Sequence, residues 1–532
     1  MLTPRRDILK IAGGGLAASL MIAPGFAADG SNASGARQNG GIFDVRQYGA
    51  VGDGTTIDSP AINKAIDAAA SAGGGMVLFP AGIYASYSIH FKSQVTLFLG
   101  QGAVILAAPA PPEGSSGGYD NPEPPQPWEA YEDFGHNHWY NSLIWGVGLH
   151  DITICGPGRI WGRGLSRGNG PTARNPEQRR INGVGNKSIA LKNCHNVVLK
   201  DFQILQGGWF GLLATGVDNM VIDNLVIDTN RDGLDIDCCQ NVRVSNCTVN
   251  SPRDDAIVPK SSYALGYLRP TKNLTISNCY VTGTYEVGSV LDGTFKKIKA
   301  GTGRIKTGTE SNGSFQNIAI SNCVFEGCHG LALETVDGAL LEDISITNIT
   351  MRDITGVPIF LRLGARMRGP AGLPIGQLRR ILISNIVASN VGSEACSILS
   401  GIPDHPIEDI KISDVYIQHQ GGGTREQAAI QMPEDAKKYP EPTMFGGTPA
   451  QGFYLRHVQN IEMSHIEIAS LEPDARPDFI LDDVKDADFL RIKTQRQQGV
   501  PTFSLHDVDN FTCSLSRGIR ETTLDHVSDK SL

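Results

Sequence analysis

The stretch Asn219-Met220-Val221-Ile222-Asp223-Asn224 contains the pattern that decides the fold: an asparagine, alternating apolar residues, then asparagine or aspartate. The same pattern begins at Asn196 before it and at Asn241 after it, at nearly equal intervals. Further copies, some of them looser, follow at 273–278, 317–322, 342–348, 380–385, 408–414, 460–465 and near 484 and 510. Alternation with a period of two is typical of a strand with one buried face. The pattern therefore predicts a tandem series of short strands.

The interval from Asn219 to Asn241 is too short a unit to bury a core of its own, so each unit has to stack on its neighbours. Stacked strands lie about 4.8 Å apart, which makes residues at matching positions neighbours. We predict an all-β protein, a right-handed parallel β-helix (a solenoid). The repeated asparagines should form ladders inside the coil or at its turns. Cys247, Cys279 and Cys323 each follow a Ser-Asn pair and should share one repeated core position.

The segment 59–72 has a helical period instead, and we expect it to form an N-terminal capping helix. Its apolar residues recur at helical spacing: Ala61, Ile62, Ala65, Ile66 and Ala69. Asp58 or Ser59 is suited to cap the helix, and Pro60 suits its first turn. Such a helix would cover the open end of the stack, where strand edges are otherwise exposed.

Two segments rich in proline, glycine and glutamate, 109–127 and 420–450, are predicted to be long loops. The first should cover one face of the coil. The second either frames the same groove or lies elsewhere. Ten cysteines leave two alternatives open, packed thiols or one or more disulfides. No pair of CxxC motifs is present, which argues against a structural zinc site.

The N-terminus resembles a twin-arginine export signal. Arg5-Arg6 precedes an apolar stretch that ends at Ile22, and small residues surround Ala27-Ala28. An ordinary Sec signal is the alternative. We predict an export signal over 1–28, a flexible linker over 29–41 and a single β-helix catalytic domain over 42–525. The protein should be periplasmic or secreted, and a monomer.

The net charge of −9 argues against non-specific binding of nucleic acid. No segment after the signal reaches the length of a membrane span, so we expect no membrane anchor.

One turn is unusually acidic, and a second follows it at the repeat distance. Asp232 lies in the first, within 230–237, and Asp254-Asp255 form the second. The separation of Asp232 from Asp254 equals the local repeat, so stacking should bring them to the same turn of adjacent coils. Crowding of carboxylates raises the pKa of at least one of them. A carboxyl that holds its proton can act as an acid while an ionised neighbour activates water, as glycoside hydrolysis requires. A solvated acidic turn and a calcium site are the alternatives.

The segment 250–310 is basic, with nine lysines and arginines against five acids. Arg304 and Lys306 alternate on one face of a short predicted strand. A basic region beside a carboxylate cluster suits a bound uronate, because arginine grips a carboxylate with two hydrogen bonds. Solvated loop lysines are the alternative, above all for Lys296, Lys297 and Lys299.

These motifs resemble glycoside hydrolase family 28, the polygalacturonases and their relatives, over about residues 42–520. Asn230-Arg231-Asp232-Gly233 is similar to the family's Asn-Thr-Asp-Gly, with arginine in place of threonine. Asp254-Asp255 followed by Lys260-Ser261 resembles its paired-aspartate motif, and Arg304-Ile305-Lys306 its Arg-Ile-Lys motif. The opening 43–54 is similar to the start of many pectin-acting β-helices.

The resemblance implies inverting hydrolysis of an acidic, pectin-type polysaccharide, galacturonan or rhamnogalacturonan, without a metal or cofactor. It implies that Asp254 is the general acid and that Asp232 and Asp255 hold and activate the attacking water. Arg304 and Lys306 would bind a substrate carboxylate near the scissile bond. The remaining candidate substrate-binding residues are Lys260 and Tyr285.

One departure from the family concerns its Gly-His-Gly motif, because the corresponding stretch 283–288 has no histidine. We expect Tyr285 or Glu286 to occupy that wall of the site. An aromatic-rich stretch and one further tryptophan could line a sugar groove or pack a loop against the coil: Trp128, His136, His138, Trp139, Tyr140 and Trp209. His329 is interpreted as a turn residue.

Three other functions compete with a hydrolase. A polysaccharide lyase on the same coil would use calcium and an arginine or lysine base. A non-catalytic β-helix would bind glycans without a product. A fructan-acting transferase is the most distant alternative. The sequence leaves open which uronide is cleaved and whether cleavage is exo or endo.

Overall fold

The computed structural model describes residues 41–532 except 113–114, 134, 167–180, 300, 394–395 and 496. The predicted export signal, 1–28, lies outside the described residues, and so does the predicted linker up to residue 40.

Strands dominate the described residues. They are, in chain order, β1 (Ile42–Asp44), β2 (Asp53–Ile57), β3 (Gly75–Phe79), β4 (Gly82–Ser86), β5 (Ile89–His90), β6 (Val95–Leu99), β7 (Ala103–Ala107), β8 (Ile144–Val147), β9 (His150–Cys155), β10 (Arg159–Trp161), β11 (Lys187–Lys192), β12 (His195–Lys200), β13 (Gln203–Leu205), β14 (Phe210–Thr215), β15 (Asp218–Asp223), β16 (Val226–Asp228), β17 (Asp232–Asp237), β18 (Gln240–Ser245), β19 (Thr248–Asn250), β20 (Ile257–Lys260), β21 (Thr271–Ser277), β22 (Tyr280–Thr282), β23 (Lys306–Thr307), β24 (Ser314–Glu326), β25 (Leu331–Thr335), β26 (Leu340–Arg352), β27 (Ile359–Leu363), β28 (Gln377–Val391), β29 (Ser397–Ser400), β30 (Ile407–His419), β31 (Phe453–Ser470), β32 (Phe479–Leu490), β33 (Lys493–Thr494), β34 (Phe503–Ser514) and β35 (Thr522–Ser531).

Among the described residues, helical elements are few and short. The α-helices are α1 (Ser59–Ser71), α2 (Ser289–Asp292) and α3 (Arg425–Ala428), and single 3-10 turns span Val45–Tyr48, Glu129–Tyr131 and Pro442–Phe445. In the described chain, no helix combines the length and the apolar run that crossing a bilayer requires.

The strands pair in parallel to form three stacks. The first stack consists of β5, β8, β11, β14, β17 and β20 and continues through β23, β25, β27, β29 and β31. The second contains β9, β12, β15, β18 and β21, and the third contains β10, β13, β16, β19 and β22. From β24 onward, one long strand per coil serves both of these stacks. The predicted right-handed parallel β-helix is confirmed.

The repeated phrase fixes the register of the second stack. Its first apolar residue is buried in every copy, and these residues pair across coils: Val197, Met220, Val242, Leu274 and Ile318. The asparagine before each has a positive φ, which asparagine tolerates better than most residues. These asparagines donate side chain to side chain along the coil axis, for example from Asn241 Nδ2 to Asn219 Oδ1 at 3.3 Å. The ladder therefore lies on the exposed outside of the coil, at a left-handed bend within each strand.

Thiols occupy the predicted core position. Cys247, Cys279 and Cys323 precede paired positions of β19, β22 and β24 and are buried. All ten cysteines are free thiols, as the packed-thiol alternative predicts.

Both ends of the coil are covered. Helix α1 packs on β1 and β3 with its apolar face buried, as predicted. Asp58 occupies the predicted N-cap position, but its carboxylate accepts hydrogen bonds from the amides of Val51 (2.7 Å) and Gly52 (2.9 Å) and none from the helix. At the other end, β35 pairs antiparallel with β34. Residue 525, the predicted end of the domain, lies inside β35.

Candidate active site

The turns that precede the first-stack strands form one column along the coil. We call this the turn column, and it comprises residues 229–231, 251–256, 283–304, 327–330 and 353–358. Asp232 is the first residue of β17, and Asp254 and Asp255 come just before β20 on the next coil. Backbone hydrogen bonds hold the two coils in register, because the amide of Gly233 donates to the carbonyl of Asp255 at 3.1 Å.

The structure brings the three aspartates together, where the repeat spacing predicted them. One carboxylate oxygen from each lies within 4.8 Å of the others. The amide of Asp255 donates to Asp232 Oδ1 at 3.2 Å and to Asp254 Oδ1 at 3.1 Å. Asp232 and Asp255 are buried, whereas the side chain of Asp254 is 23% exposed. Asp254 is therefore the carboxyl most accessible to a ligand.

Arg304 and Lys306 join the same cluster from the third coil. Ile305 between them forms a parallel bridge with Ile257 and is buried in the core. Alternate residues of a strand point to opposite sides, so both cations point out of the core. Arg304 Nε donates to Asp255 Oδ1 at 2.8 Å, and Lys306 Nζ lies 3.3 Å from Asp255 Oδ2. Only 1% of Arg304 and 2% of Lys306 is exposed.

The aspartates have contrasting electrostatic environments. Burial acts to raise the pKa of Asp255, but the charges of Arg304 and Lys306 outweigh it and hold that pKa below its usual value. Burial, reinforced by the charges of Asp254 and Asp235, raises the pKa of Asp232 well above its usual value. A firmly ionised carboxylate thus sits beside a carboxyl that retains its proton to higher pH. This is the asymmetry that acid–base catalysis uses.

Arg231 lies at the exposed edge of the aspartate cluster. Its guanidinium forms an ion pair with Asp254 and stacks on the ring of Trp209, 4.3 Å from the ring centroid. The residue that departs from the family motif therefore contacts the most accessible aspartate. An incoming ligand has to share or displace this cation.

The segment 420–450 frames the site, which resolves the alternatives left open by the sequence. Glu441 accepts a hydrogen bond from Arg304 and lies 3.2 Å from Lys306 Nζ. The ring of Tyr439 lies 5.5 Å from the same ammonium, and its hydroxyl accepts a hydrogen bond from Thr309 Oγ1 at 2.6 Å. Arg304 and Lys306, predicted to bind a substrate carboxylate, here bind a carboxylate of the protein itself.

Sequence reasoning missed Glu441 and Tyr439. They lie far along the chain from their partners, in a loop that carries no repeat. The one available signal was the composition of that loop, which does not identify which acid reaches the cluster.

Below the aspartates lies a buried ionic network. Lys260 Nζ donates to Glu310 Oε2 at 3.1 Å and lies 4.0 Å from Asp235. His136 Nε2 is 3.0 Å from Asp235 Oδ2. Burial opposes the charge of Lys260, but Glu310 and Asp235 outweigh it and raise the pKa of Lys260 well above its usual value. Lys260, a candidate for substrate binding, thus forms part of the floor beneath Asp232.

The other sequence candidates are arranged around this centre. Tyr285 is buried, and its hydroxyl donates to Glu326 Oε2 at 3.2 Å. Glu286 is about half exposed and pairs with Lys296. His136 and Trp139 are buried, so this part of the aromatic stretch packs the loop against the coil.

His329 lies on the turn of the coil after Arg304. Its amide donates to the carbonyl of Thr302 at 2.8 Å, as befits the predicted turn residue. Burial, together with the charge of Arg304, lowers its pKa. It is therefore a neutral imidazole within electrostatic range of the cluster at ordinary pH.

Metal binding is disfavoured by the charges that surround the carboxylates. Two groups among the described residues have ligand atoms close enough for an ion, the three aspartates and the set His136, Asp232 and Asp235. Asp255, however, is already bound by Arg304 and Lys306, and Lys260 lies beside Asp235. A divalent cation would have to enter against these positive charges. The arrangement suits proton transfer better.

Glu334 provides a test of the electrostatics beneath Lys306. Burial raises its pKa to about 8, although Lys306 lies 3.7 Å away. A carboxyl with a raised pKa in the folded state stabilises that state fully below its unfolded pKa, and this contribution is lost as pH rises through 8. The wild type therefore loses stability as the pH rises from 5 to 8, whereas Glu334→Gln does not. At pH 8, the free energy of unfolding of Glu334→Gln should have gained about 2 kcal/mol or more relative to that of the wild type.

Urea unfolding at several pH values measures this gain. Glu472→Gln, at an exposed position, is the matched control and should show no such trend. A pH-independent difference between Glu334→Gln and wild type would contradict the assignment.

Comparisons with known proteins agree with this fold. Two family models match segments of the chain: "Rhamnogalacturonase A/epimerase, pectate lyase-like" over residues 42–123 and "Right handed beta helix region" over 165–305. A "Probable polygalacturonase" of Vitis vinifera is 25% identical over 402 residues, which cover 70% of this chain and 73% of the relative. An "Exo-poly-alpha-D-galacturonosidase" of Dickeya chrysanthemi is 27% identical over 265 residues, 41% of each protein.

Solved structures show the same fold. A hyperthermoactive exopolygalacturonase from Thermotoga maritima superposes with a TM-score of 0.57 at 16% identity, covering 92% of this chain and 95% of that one. A family 28 exopolygalacturonase from Yersinia enterocolitica gives a TM-score of 0.52 at 20% identity, covering 88% and 78%. The fold is a parallel β-helix, and its carboxylate cluster provides groups suited to acid–base chemistry. The chain is thus similar to polygalacturonases, and this likeness indicates a glycoside hydrolase.

Proposed function

We propose that this protein hydrolyses glycosidic bonds of a pectin-type acidic polysaccharide. The observation that carries the proposal is the cluster of Asp232, Asp254 and Asp255 in one turn column, where Asp255 is held ionised and Asp254 is the exposed carboxyl. The names of the relatives support galacturonide linkages as the class of bond.

In this proposal Asp254 is the general acid. It is the most exposed of the three carboxyls and so can reach the glycosidic oxygen of the leaving sugar. Asp255, held ionised by Arg304 and Lys306, accepts a proton from the attacking water. Asp232 helps to hold that water. The carbon–oxygen bond to the leaving sugar breaks as the water oxygen bonds to the anomeric carbon.

We propose inversion at the anomeric carbon, although the three carboxylates are closer together than in most inverting enzymes, where about 6.5–9.5 Å separates acid and base. Inversion here requires the water to sit beside the trio, over Asp232 and Asp255. Proton NMR of the first product anomer tests this point. Net retention would instead require one aspartate to act as a nucleophile.

The hydrolase is tested by incubation with homogalacturonan, rhamnogalacturonan and unsaturated oligomers, followed by product analysis. We expect new reducing ends, no ultraviolet-absorbing unsaturated product and the same rate with and without a chelator. An unsaturated product and loss of activity in chelator would identify a lyase. Binding without any product would identify a glycan-binding protein.

We also propose that residues 1–28 direct export and that the enzyme works as a monomer in the periplasm or outside the cell. Tyr285 and Lys260 are proposed to support substrate binding from the wall and the floor of the site. Cell fractionation and light scattering test the first two points.

A further inference from the structure

A cavity of about 500 Å³ lies in the same turn column as the aspartates. It is bounded by residues 353–357, two coils beyond the coil of Arg304. Backbone bonds link these turns in register, because the amide of Gly327 donates to the carbonyl of Arg352 at 2.9 Å. At about 4.8 Å per coil, the turn 353–357 lies about 10 Å from Arg304 along the axis, and the cavity extends back from it to Thr284. A sugar chain that follows the column from the aspartates therefore enters it.

The lining of the cavity is mixed polar and apolar, and it is almost uncharged. Hydroxyl and amide side chains alternate with glycine and apolar residues. There is one carboxylate and, among the described lining residues, no lysine, arginine or histidine. The polar residues of the lining include Thr284, Asp353, Thr355, Asn390, Gln420 and Thr443. Such groups hydrogen-bond the hydroxyls of an uncharged sugar, whereas a uronate would face Asp353 without any counter-charge.

The cations between the aspartates and the cavity are already neutralised. Arg304 and Lys306 carry two positive charges, and Asp255 and Glu441 carry two negative ones. Burial acts to raise the pKa of Glu441, but Arg304 and Lys306 outweigh it and lower that pKa, so Glu441 is ionised. A uronate at this point would add a third negative charge to two buried cations.

The same segment forms both features. Glu441 binds the two cations, and the next two residues, Pro442 and Thr443, line the cavity. The loop that neutralises Arg304 and Lys306 therefore also shapes the adjoining sugar site. The position of this loop therefore affects both the charge at Arg304 and Lys306 and the shape of the cavity.

We propose that this cavity is a subsite for an uncharged pyranose unit of the substrate, and that Glu441 sets this preference by occupying the cations that a uronate would need. The proposal rests on the proposed hydrolase function, because it concerns the sugar units flanking the cleaved bond. The uncharged unit has two possible sources, a neutral sugar or a methyl-esterified galacturonate.

Binding to the Asp254→Asn variant tests the proposal separately from catalysis. Calorimetry compares three oligosaccharides of equal length: de-esterified galacturonate, methyl-esterified galacturonate, and galacturonate alternating with a neutral sugar. We expect at least tenfold tighter binding of one or both oligomers with uncharged units. The methyl-esterified oligomer and the alternating oligomer distinguish a methyl-esterified galacturonate from a neutral sugar as the uncharged unit.

Glu441→Gln in the same background keeps the size of the side chain and removes its charge. We expect it to tighten binding of the de-esterified oligomer about tenfold and so remove the preference. Thr355→Lys, which adds a cation to the cavity, should act in the same direction. Glu426→Gln, the same substitution at an exposed position of α3 on the same loop, is the control and should change nothing.

Equal or tighter binding of the de-esterified oligomer to Asp254→Asn would overturn the subsite, and so would binding of none of the three. An unchanged preference in Glu441→Gln would overturn the role of Glu441. If the preference is found but the wild type releases no reducing ends, the hydrolase proposal fails and the subsite stands.

Discussion

Asp254→Asn is expected to lower kcat/KM on pectic oligomers by about 10³-fold, within the range that general acid–base catalysis contributes. Asparagine has nearly the size of aspartate but no acidic proton for the leaving sugar oxygen. The fold should remain intact, because the side chain is partly exposed at a turn. Initial rates of reducing-end formation measure the loss, and thermal unfolding checks the fold.

The dependence of the activity loss on the leaving group identifies the general acid. An aryl glycoside with an acidic phenol departs without protonation, so Asp254→Asn should lose far less activity on it than on the polysaccharide. Asp292→Asn, an exposed carboxylate in the loop 283–304, is the control and should keep wild-type rates. If Asp232→Asn showed the leaving-group dependence instead, Asp232 would be the acid.

Arg304→Met is expected to destabilise the protein by about 3–5 kcal/mol, the cost of breaking a buried ion pair by removing one partner. The substitution leaves Asp255 and Glu441 with Lys306 as their remaining close cation. Because Arg304 lowers the pKa of Asp255, its removal raises that pKa, and the acidic limb of the kcat/KM profile should move to higher pH. Urea unfolding and a pH–rate profile measure the two effects.

The control for this prediction is Arg380→Met. Arg380 is exposed and pairs with the exposed Asp343, and Glu342, its buried second partner, keeps its ion pair with Arg379, so the loss of Arg380 should cost little stability. The Arg380→Met variant should unfold at nearly the same urea concentration as the wild type. Equal destabilisation by both variants would contradict a special role for the buried pair, and so would an unmoved acidic limb.

The coil and the aspartate cluster could be predicted because both depend on a short repeat. The repeat spacing sets which residues become neighbours across coils, so the local sequence specifies that Asp232 meets Asp254. Likewise, alternation alone predicts that Arg304 and Lys306 share one face of a strand. Each of these inferences uses only period and phase.

Other features depended on contacts that no period describes. The carboxylate of Asp58 had two possible partners, the first turn of α1 or the loop before it, and local sequence did not decide between them. From the sequence, His136 and Lys260 could have faced a groove. In the structure they are buried, because His136 contacts Asp235 and Lys260 contacts Glu310.

By itself, the sequence determined the solenoid, its register and the carboxylate trio, because strand period and coil spacing are local properties that stacking repeats from coil to coil. Tertiary structure alone decided which charge meets Arg304 and Lys306. Glu441 reaches them from a distant part of the chain, and that encounter depends on the path of a non-repeating loop and on the cost of leaving two buried cations without enough anions.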